Sequence, residues 1–284
     1  MSDPFEALHS PIVPTDPDPA FAADLRARVS EAFDKREAIT PPASPRTATG
    51  PRHGDIGYVS LWVPDVERAG AFFSTVLGWQ YTPIGARQGR QVEGSAPPHG
   101  IWGEQERSTL FLCFTVEDVD ETLERVRDAG GQAGAPQDAP HGRAADCLDD
   151  QGTPFALVSS GGSGAGGQRG PANGERHGDL AYITMEVVDS VRARAFYGSV
   201  LDWRFGPGSV TDGWGVDDVV PMVGIVGQQP TATVVPMYRV DDVDAAAARV
   251  RAAGGSGDDP ARQPYGVTTA CLDDQGTRFW LGQL

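Results

Sequence analysis

The sequence predicts an α+β protein built from two tandem modules, and three observations predict it. The first is a repeat: Arg52 to Trp79, RHGDIGYVSLWVPDVERAGAFFSTVLGW, returns at Arg176 to Trp203 as RHGDLAYITMEVVDSVRARAFYGSVLDW. The offset stays at 124 residues from Tyr58 and Tyr182 to Cys147 and Cys271, so the repeat is a whole module. The second is alternation in Tyr58 to Val63, with one aliphatic and one mixed face, the pattern of a strand covered on one side. The third is a capped helix: Asp65 as N-cap, apolar residues at Ala69, Phe72, Phe73, Val76 and Leu77, and Gly78 as the stop.

Within each module the pattern restarts. Phe111 to Val116 reads as a second strand, Asp118 caps a second helix with Val119, Leu123 and Val126 inward, and Gly130-Gly131 ends it. Each module is therefore two units of strand, helix and strands. The domains follow: an N-terminal extension over 1–51, a first module over 52–159, a Gly/Ser-rich linker over 160–175 and a second module over 176–284. In the extension, Asp18-Pro19 starts a helix running to about Phe33. Its stripe of Phe21, Leu25, Val29 and Ala32 is expected to pack on the modules or on a partner chain.

Composition excludes several classes of function. A formal net charge of −16 with no basic run argues against nucleic acid or an anionic membrane as partner. No segment is long and apolar enough to span a bilayer, and no signal peptide is recognisable. Cys113, Cys147 and Cys271 are odd in number and widely spaced, with no base beside them. Reduced, inert thiols in a cytoplasmic protein are expected.

A strand ending in V-x-D, a helix carrying A-F-[FY], then V-L-x-W, and later D-D-x-G before a last strand resemble the vicinal oxygen chelate superfamily. That group includes glyoxalase, extradiol dioxygenases and the bleomycin- and fosfomycin-resistance proteins. The resemblance implies tandem modules of paired βαβββ units, each forming a curved-sheet cup, with the N-terminal helical extension added. It leaves open whether each cup forms within one module or between halves of two. In metalloenzymes of the superfamily, the first, fourth, fifth and eighth strands each give one His or Glu ligand. The first-, fifth- and eighth-strand positions here are Tyr58, Phe111 and Ala156, and Tyr182, Val235 and Trp280, none a usual ligand. The fourth-strand positions lie in His99 to Glu104 and Val223 to Gln228, only the first of which contains His or Glu, and one ligand does not hold a metal. No metal and no other cofactor is expected.

The expected ligand-binding residues are Tyr58, Trp62, Trp102, Phe111, Tyr182, Val235, Met237, Arg239 and Trp280, whose aromatic walls suit a flat or apolar molecule. The catalytic candidates are Glu186, a cup-lining carboxylate, and His99, placed to enter the cup at its fourth strand. Arg239 is either the ion-pair partner of Glu186 or a clamp for a ligand carboxylate. His141 and Tyr265 are placed on loops over the cups. His53 and His177 should bond within the turn before the first strand, and Asp149 and Asp273 should hold hairpin turns. The expected function is metal-independent binding of an aromatic or amphipathic small molecule, of the sequestration or resistance type. The alternative is a metal-independent lyase, isomerase or cyclase using Glu186 or His99, and a metal-dependent glyoxalase or dioxygenase ranks last. The modules are expected to pair within the chain, with homodimerisation left open.

Overall fold

The computed structural model describes residues 51–83, 88–139, 142–159 and 171–284; the predicted N-terminal helix, most of the linker and His141 lie outside them. The first module runs β1 (Ile56–Trp62), α1 (Val66–Leu77), β2 (Tyr81–Pro83), β3 (Gly89–Val92) and β4 (His99–Trp102). Its second half continues with β5 (Thr109–Val116), α2 (Val119–Asp128), β6 (Gln132–Ala133), β7 (Gln137–Ala139), β8 (Gly142–Leu148) and β9 (Pro154–Ser159). The second module repeats this as β10 (Leu180–Glu186), α3 (Ser190–Leu201), β11 (Phe205–Pro207), β12 (Gly213–Val216) and β13 (Val223–Val226). It closes with β14 (Thr233–Arg239), α4 (Val243–Ala252), β15 (Ser256–Gly257), β16 (Ala261–Gln263), β17 (Gly266–Leu272) and β18 (Arg278–Gln283).

Every helix begins at the aspartate the sequence marks. Asp65 Oδ1 accepts from the amides of Glu67 and Arg68, and Asp118, Asp189 and Asp242 cap their helices in the same way. Gly78 ends α1 in the left-handed conformation, where its missing Cβ removes the steric cost.

Each sheet comes from one module. The first has the order β2-β3-β4-β1-β5-β9-β8-β6, with β7 also on β8, and the second repeats it as β11-β12-β13-β10-β14-β18-β17-β15, with β16 on β17. The open question of cup pairing is thereby settled: β1, β4, β5 and β9 are neighbours in one sheet, so each cup is formed within a module.

The opposite faces of the sheets bury a single core that runs through both modules. Phe72 and Phe73 of α1 meet Phe279 and Tyr238 of the second sheet, while Phe196 and Tyr197 of α3 meet Phe155 and Phe114 of the first. Polar ties are exchanged just as evenly. The Gln275 side chain brackets the Asp65 peptide through both its amide groups, and Gln151 does the same at Asp189. Arg68 pairs with Asp274 and Arg192 with Asp150, and the indole N–H groups of Trp79 and Trp203 donate to the carbonyls of Gly178 and Gly54. Burying this much apolar surface between the modules is what holds them together.

Two smaller expectations are resolved here. Asp149 and Asp273 do hold their turns, each taking two amides on Oδ1. His53, expected to bond inside its own turn, reaches the carbonyl of Val200 in the other module, and Asp55 closes that turn through the Arg52 amide.

Candidate functional site

Register identifies which side chains share the cup face of each sheet, because strand neighbours in direct register point the same way. In the first cup Tyr58, Ser60 and Trp62 of β1 face with Trp102 of β4, Phe111 and Cys113 of β5, and Ala156 and Val158 of β9. These form their own compact cluster. Tyr58, Phe111, Cys113, Ala144, Ala156 and Val158 are buried together, with Trp62 packed on them. The Trp62 and Phe111 rings stack with centroids 4.8 Å apart and planes within 9°. The first cup is therefore closed by its own aromatic stack.

The second cup keeps the scaffold and replaces the filling. Tyr182, Met237 and Trp280 lie in one row across β10, β14 and β18, with Ala270 of β17 beyond. The next row holds Gly224, Thr184, Val235, Arg278 and Leu272, and the one after holds Val226, Glu186 and Thr233. Where the first cup has Trp62, Phe111, Cys113 and Ala156, the second has Glu186, Val235, Met237 and Trp280. Tyr182, Thr184, Glu186 and Trp280 are only half-buried. The half-buried Tyr182 and Trp280 thus flank a buried Met237–Val235 strip, the slot of the second cup.

One end of the slot is an ion pair. Arg278 Nη1 and Nη2 donate to Glu186 Oε2 and Oε1 at 2.6 and 2.7 Å. Arg278 stands on β18 and Glu186 on β10, the two neighbours of β14, so the pair bridges about 10 Å of sheet over Thr233 and Val235. The Glu186 side chain is 12% exposed and that of Arg278 51%. Hydrogen bonding to Glu186 raises the Arg278 pKa further above its ordinary value. Arg239, expected to pair with Glu186 or to clamp a ligand, instead donates to the carbonyls of Gly174 and Leu284. Sequence reasoning missed the actual partner, Arg278, although it lies two residues before Trp280 and therefore on the same face.

Tyr182 makes no hydrogen bond among the described residues, and its hydroxyl lies over Gly224, where any Cβ would overlap it. Its pKa is raised by burial and by the nearby Tyr265, which is 56% exposed on the β16–β17 hairpin.

His99 is a correction. Expected to enter the cup, it lies in direct register with Val59 and points to the opposite face, into the core between the modules. Its Nδ1 donates to the Gly100 carbonyl, so Nε2 accepts from the Tyr238 hydroxyl of the other module at 3.0 Å. Full burial lowers its pKa from 6.5 to about 3, leaving a neutral ring wedged against Trp79. It touches neither cup. The thiols are equally remote from chemistry, with burial pushing Cys147 up to about 12 and Cys271 up to about 11.

Fold and site together define a tandem cup protein whose two cups are filled differently. Residues 55–157 match the Glyoxalase/Bleomycin resistance protein/Dioxygenase superfamily. The first module belongs to that superfamily, and the second module repeats its fold. Over 123 residues the chain is 29% identical to the anthracycline biosynthesis protein DauV of Streptomyces sp. (strain C5) and 30% identical to DnrV of Streptomyces peucetius. Each match covers 37% of this chain and 41% of the relative, so it spans less than half the length of those proteins. Among solved structures, the Mn(II)-bound glyoxalase of Novosphingobium aromaticivorans is similar at TM-score 0.62 and 17% identity, covering 82% of both chains. The 2,3-dioxygenase LapB of Pseudomonas sp. KL28 follows at TM-score 0.60 and 15% identity, covering 81% of this chain and 92% of its own.

The donor set does not fit a resident metal of the kind that glyoxalase holds. The cup faces carry Cys113 and Asp146 in the first module and Glu186 in the second, and no three His, Cys, Asp or Glu side chains converge among the described residues. Divalent transition metals need three or more such donors at about 2.0–2.3 Å.

Proposed function

We propose that this protein binds a flat aromatic or amphipathic small molecule in the cup of its second module, without a bound metal, and acts by sequestration or in specialised metabolism. One observation carries the reading: the Trp62–Phe111 stack that fills the first cup is replaced at the same positions by Glu186 and Val235 in the second, where the Tyr182 and Trp280 side chains stay half-buried. A slot of that shape favours a planar ligand through stacking on Trp280 and dispersion over Met237. The partial likeness to two anthracycline biosynthesis proteins supports a polycyclic aromatic class. The free, buried thiols suit a reducing cytoplasm, and the reading includes no nucleic-acid or membrane partner.

A second reading rests on Glu186, a carboxylate fixed on the slot with the unbonded Tyr182 hydroxyl nearby on the same strand face. In a metal-independent lyase, isomerase or cyclase, Glu186 would take a proton from the ligand and the Tyr182 hydroxyl would donate a hydrogen bond to the oxygen on which charge develops.

Fluorescence titration with 1-hydroxyanthraquinone tests binding. One molecule per chain is expected, with at least a tenfold loss of affinity in Trp280→Ala and little change in Trp62→Ala. Two molecules per chain, or affinity indifferent to Trp280, would overturn the assignment of the second cup. Metal analysis of protein purified without chelator tests metal independence, and stoichiometric manganese, iron or zinc would reverse it.

A further inference from the structure

We infer that the Glu186–Arg278 bridge makes the second cup select uncharged ligands, whose end carries a hydrogen-bond donor beside an acceptor, over ligands ending in a carboxylate. This rests on the binding role proposed for that cup. The carboxylate of Glu186 offers only acceptor lone pairs, two of which already hold Arg278. Arg278 keeps its Nε–H and the outer Nη hydrogens for a ligand acceptor. Side by side, the two groups complement an amide or a hydroxyl next to a carbonyl.

An anionic end fares worse for a geometric reason. To reach Arg278 it must approach within about 5 Å of Glu186, in a slot whose carboxylate is mostly withdrawn from water. At that separation and reduced dielectric, the repulsion between like charges outweighs the hydrogen bond to the guanidinium, whose charge Glu186 already neutralises. The other guanidinium on this face gives no compensation. Arg239 is occupied by the Gly174 and Leu284 carbonyls and is in register with Gly282, four residues along β18 from Arg278, about 13 Å away. The chain's net charge of −16 adds a long-range term of the same sign. A structural ion pair with no ligand role would have no such effect on ligand charge.

The experiment compares anthraquinone-2-carboxamide with anthraquinone-2-carboxylate at pH 7 by isothermal titration, in wild type and in Glu186→Gln. Wild type should bind the carboxamide at least tenfold more tightly. Glu186→Gln removes the charge at constant shape and frees Arg278, so carboxylate affinity should rise at least tenfold and the carboxamide-to-carboxylate preference should fall by at least as much. Thermal melting of the variant confirms that it is folded, and Arg278→Gln, which removes the attraction instead, should leave both probes weak. Equal or tighter carboxylate binding by wild type, or an unchanged ratio in Glu186→Gln, overturns the charge selection while leaving the binding site standing. Binding of neither probe removes the site itself and the selection with it.

Discussion

The two modules bury the same turn aspartate and differ in how they satisfy it. Asp149 takes the amides of Gln151 and Thr153 on Oδ1, and the hydroxyl of Tyr197, from the other module, donates to Oδ2 at 3.0 Å. Asp273 takes the matching amides of Gln275 and Thr277, but its Oδ2 is buried without a hydrogen-bond partner. The residue 124 positions before Tyr197 is Phe73, fully buried against Tyr238 and Phe279. Phe73→Tyr should therefore supply the missing donor. A hydrogen bond to a charged acceptor contributes about 1.5–3 kcal/mol; after crowding by the neighbouring rings, the expected net gain is about 1–2 kcal/mol. In a protein of this size that raises Tm by about 2–3 °C. Tyr197→Phe should cost about 1.5–3 kcal/mol, since it leaves a second carboxylate oxygen unsatisfied.

The pH dependence gives an independent check. Burial raises the folded-state pKa of Asp273 above 3.8, so between 3.8 and that raised value the native state binds more protons than the unfolded chain. The contribution of Asp273 to stability then falls as pH rises through the window. The hydroxyl that Phe73→Tyr introduces favours the charged carboxylate and flattens that slope, so the advantage of the variant should grow from pH 4 towards neutrality. Calorimetry across pH reads both quantities. A Phe73→Tyr protein that melts at or below wild type at pH 7, with no change in slope, would refute the reasoning.

Three further outcomes are expected. His99, with its pKa lowered to about 3, gives stability that is complete above the unfolded value of 6.5 and lost as pH falls. His99→Gln should flatten the acid limb, which otherwise declines by up to about 1.4 kcal/mol per pH unit, and should leave ligand affinity unchanged. Gly224→Ala drives a Cβ into the Tyr182 hydroxyl and should weaken anthraquinone binding severalfold, whereas Gly100→Ala, which meets Tyr58 the same way in the closed cup, should lower Tm without touching affinity. Trp62→Ala should cost about 2–4 kcal/mol in urea unfolding through loss of the Phe111 stack.

Local signals carried the fold. The aspartate caps and Gly78 were legible because each depends on residues a few positions apart, the repeat because the two copies align without a gap, and the structure places all of them as expected. The cup was less legible because it depends on register between distant strands. Five of the named ligand residues, Tyr182, Val235, Met237, Arg239 and Trp280, do share the second cup, while Tyr58, Trp62, Trp102 and Phe111 fill the first. Alternation within β4 spans only four residues, too few to tell that His99 faces away from Trp102's cup. Arg239, expected either to pair with Glu186 or to clamp a ligand, lies on the adjacent strand, whereas the guanidinium that reaches Glu186 comes from one strand further on.

The exchanged ties between modules are the same residues in both copies: Asp65 and Asp189, Gln151 and Gln275, Arg68 and Arg192, Asp150 and Asp274, Trp79 and Trp203. The cup positions are not, with Trp62 opposite Glu186, Phe111 opposite Val235 and Pro154 opposite Arg278. The polar ties between modules thus sit on helices and turns, apart from the cup-facing strand positions, and the two sets can vary separately. The side chains that fill either cup can therefore be exchanged without disturbing the joint that holds the two sheets together.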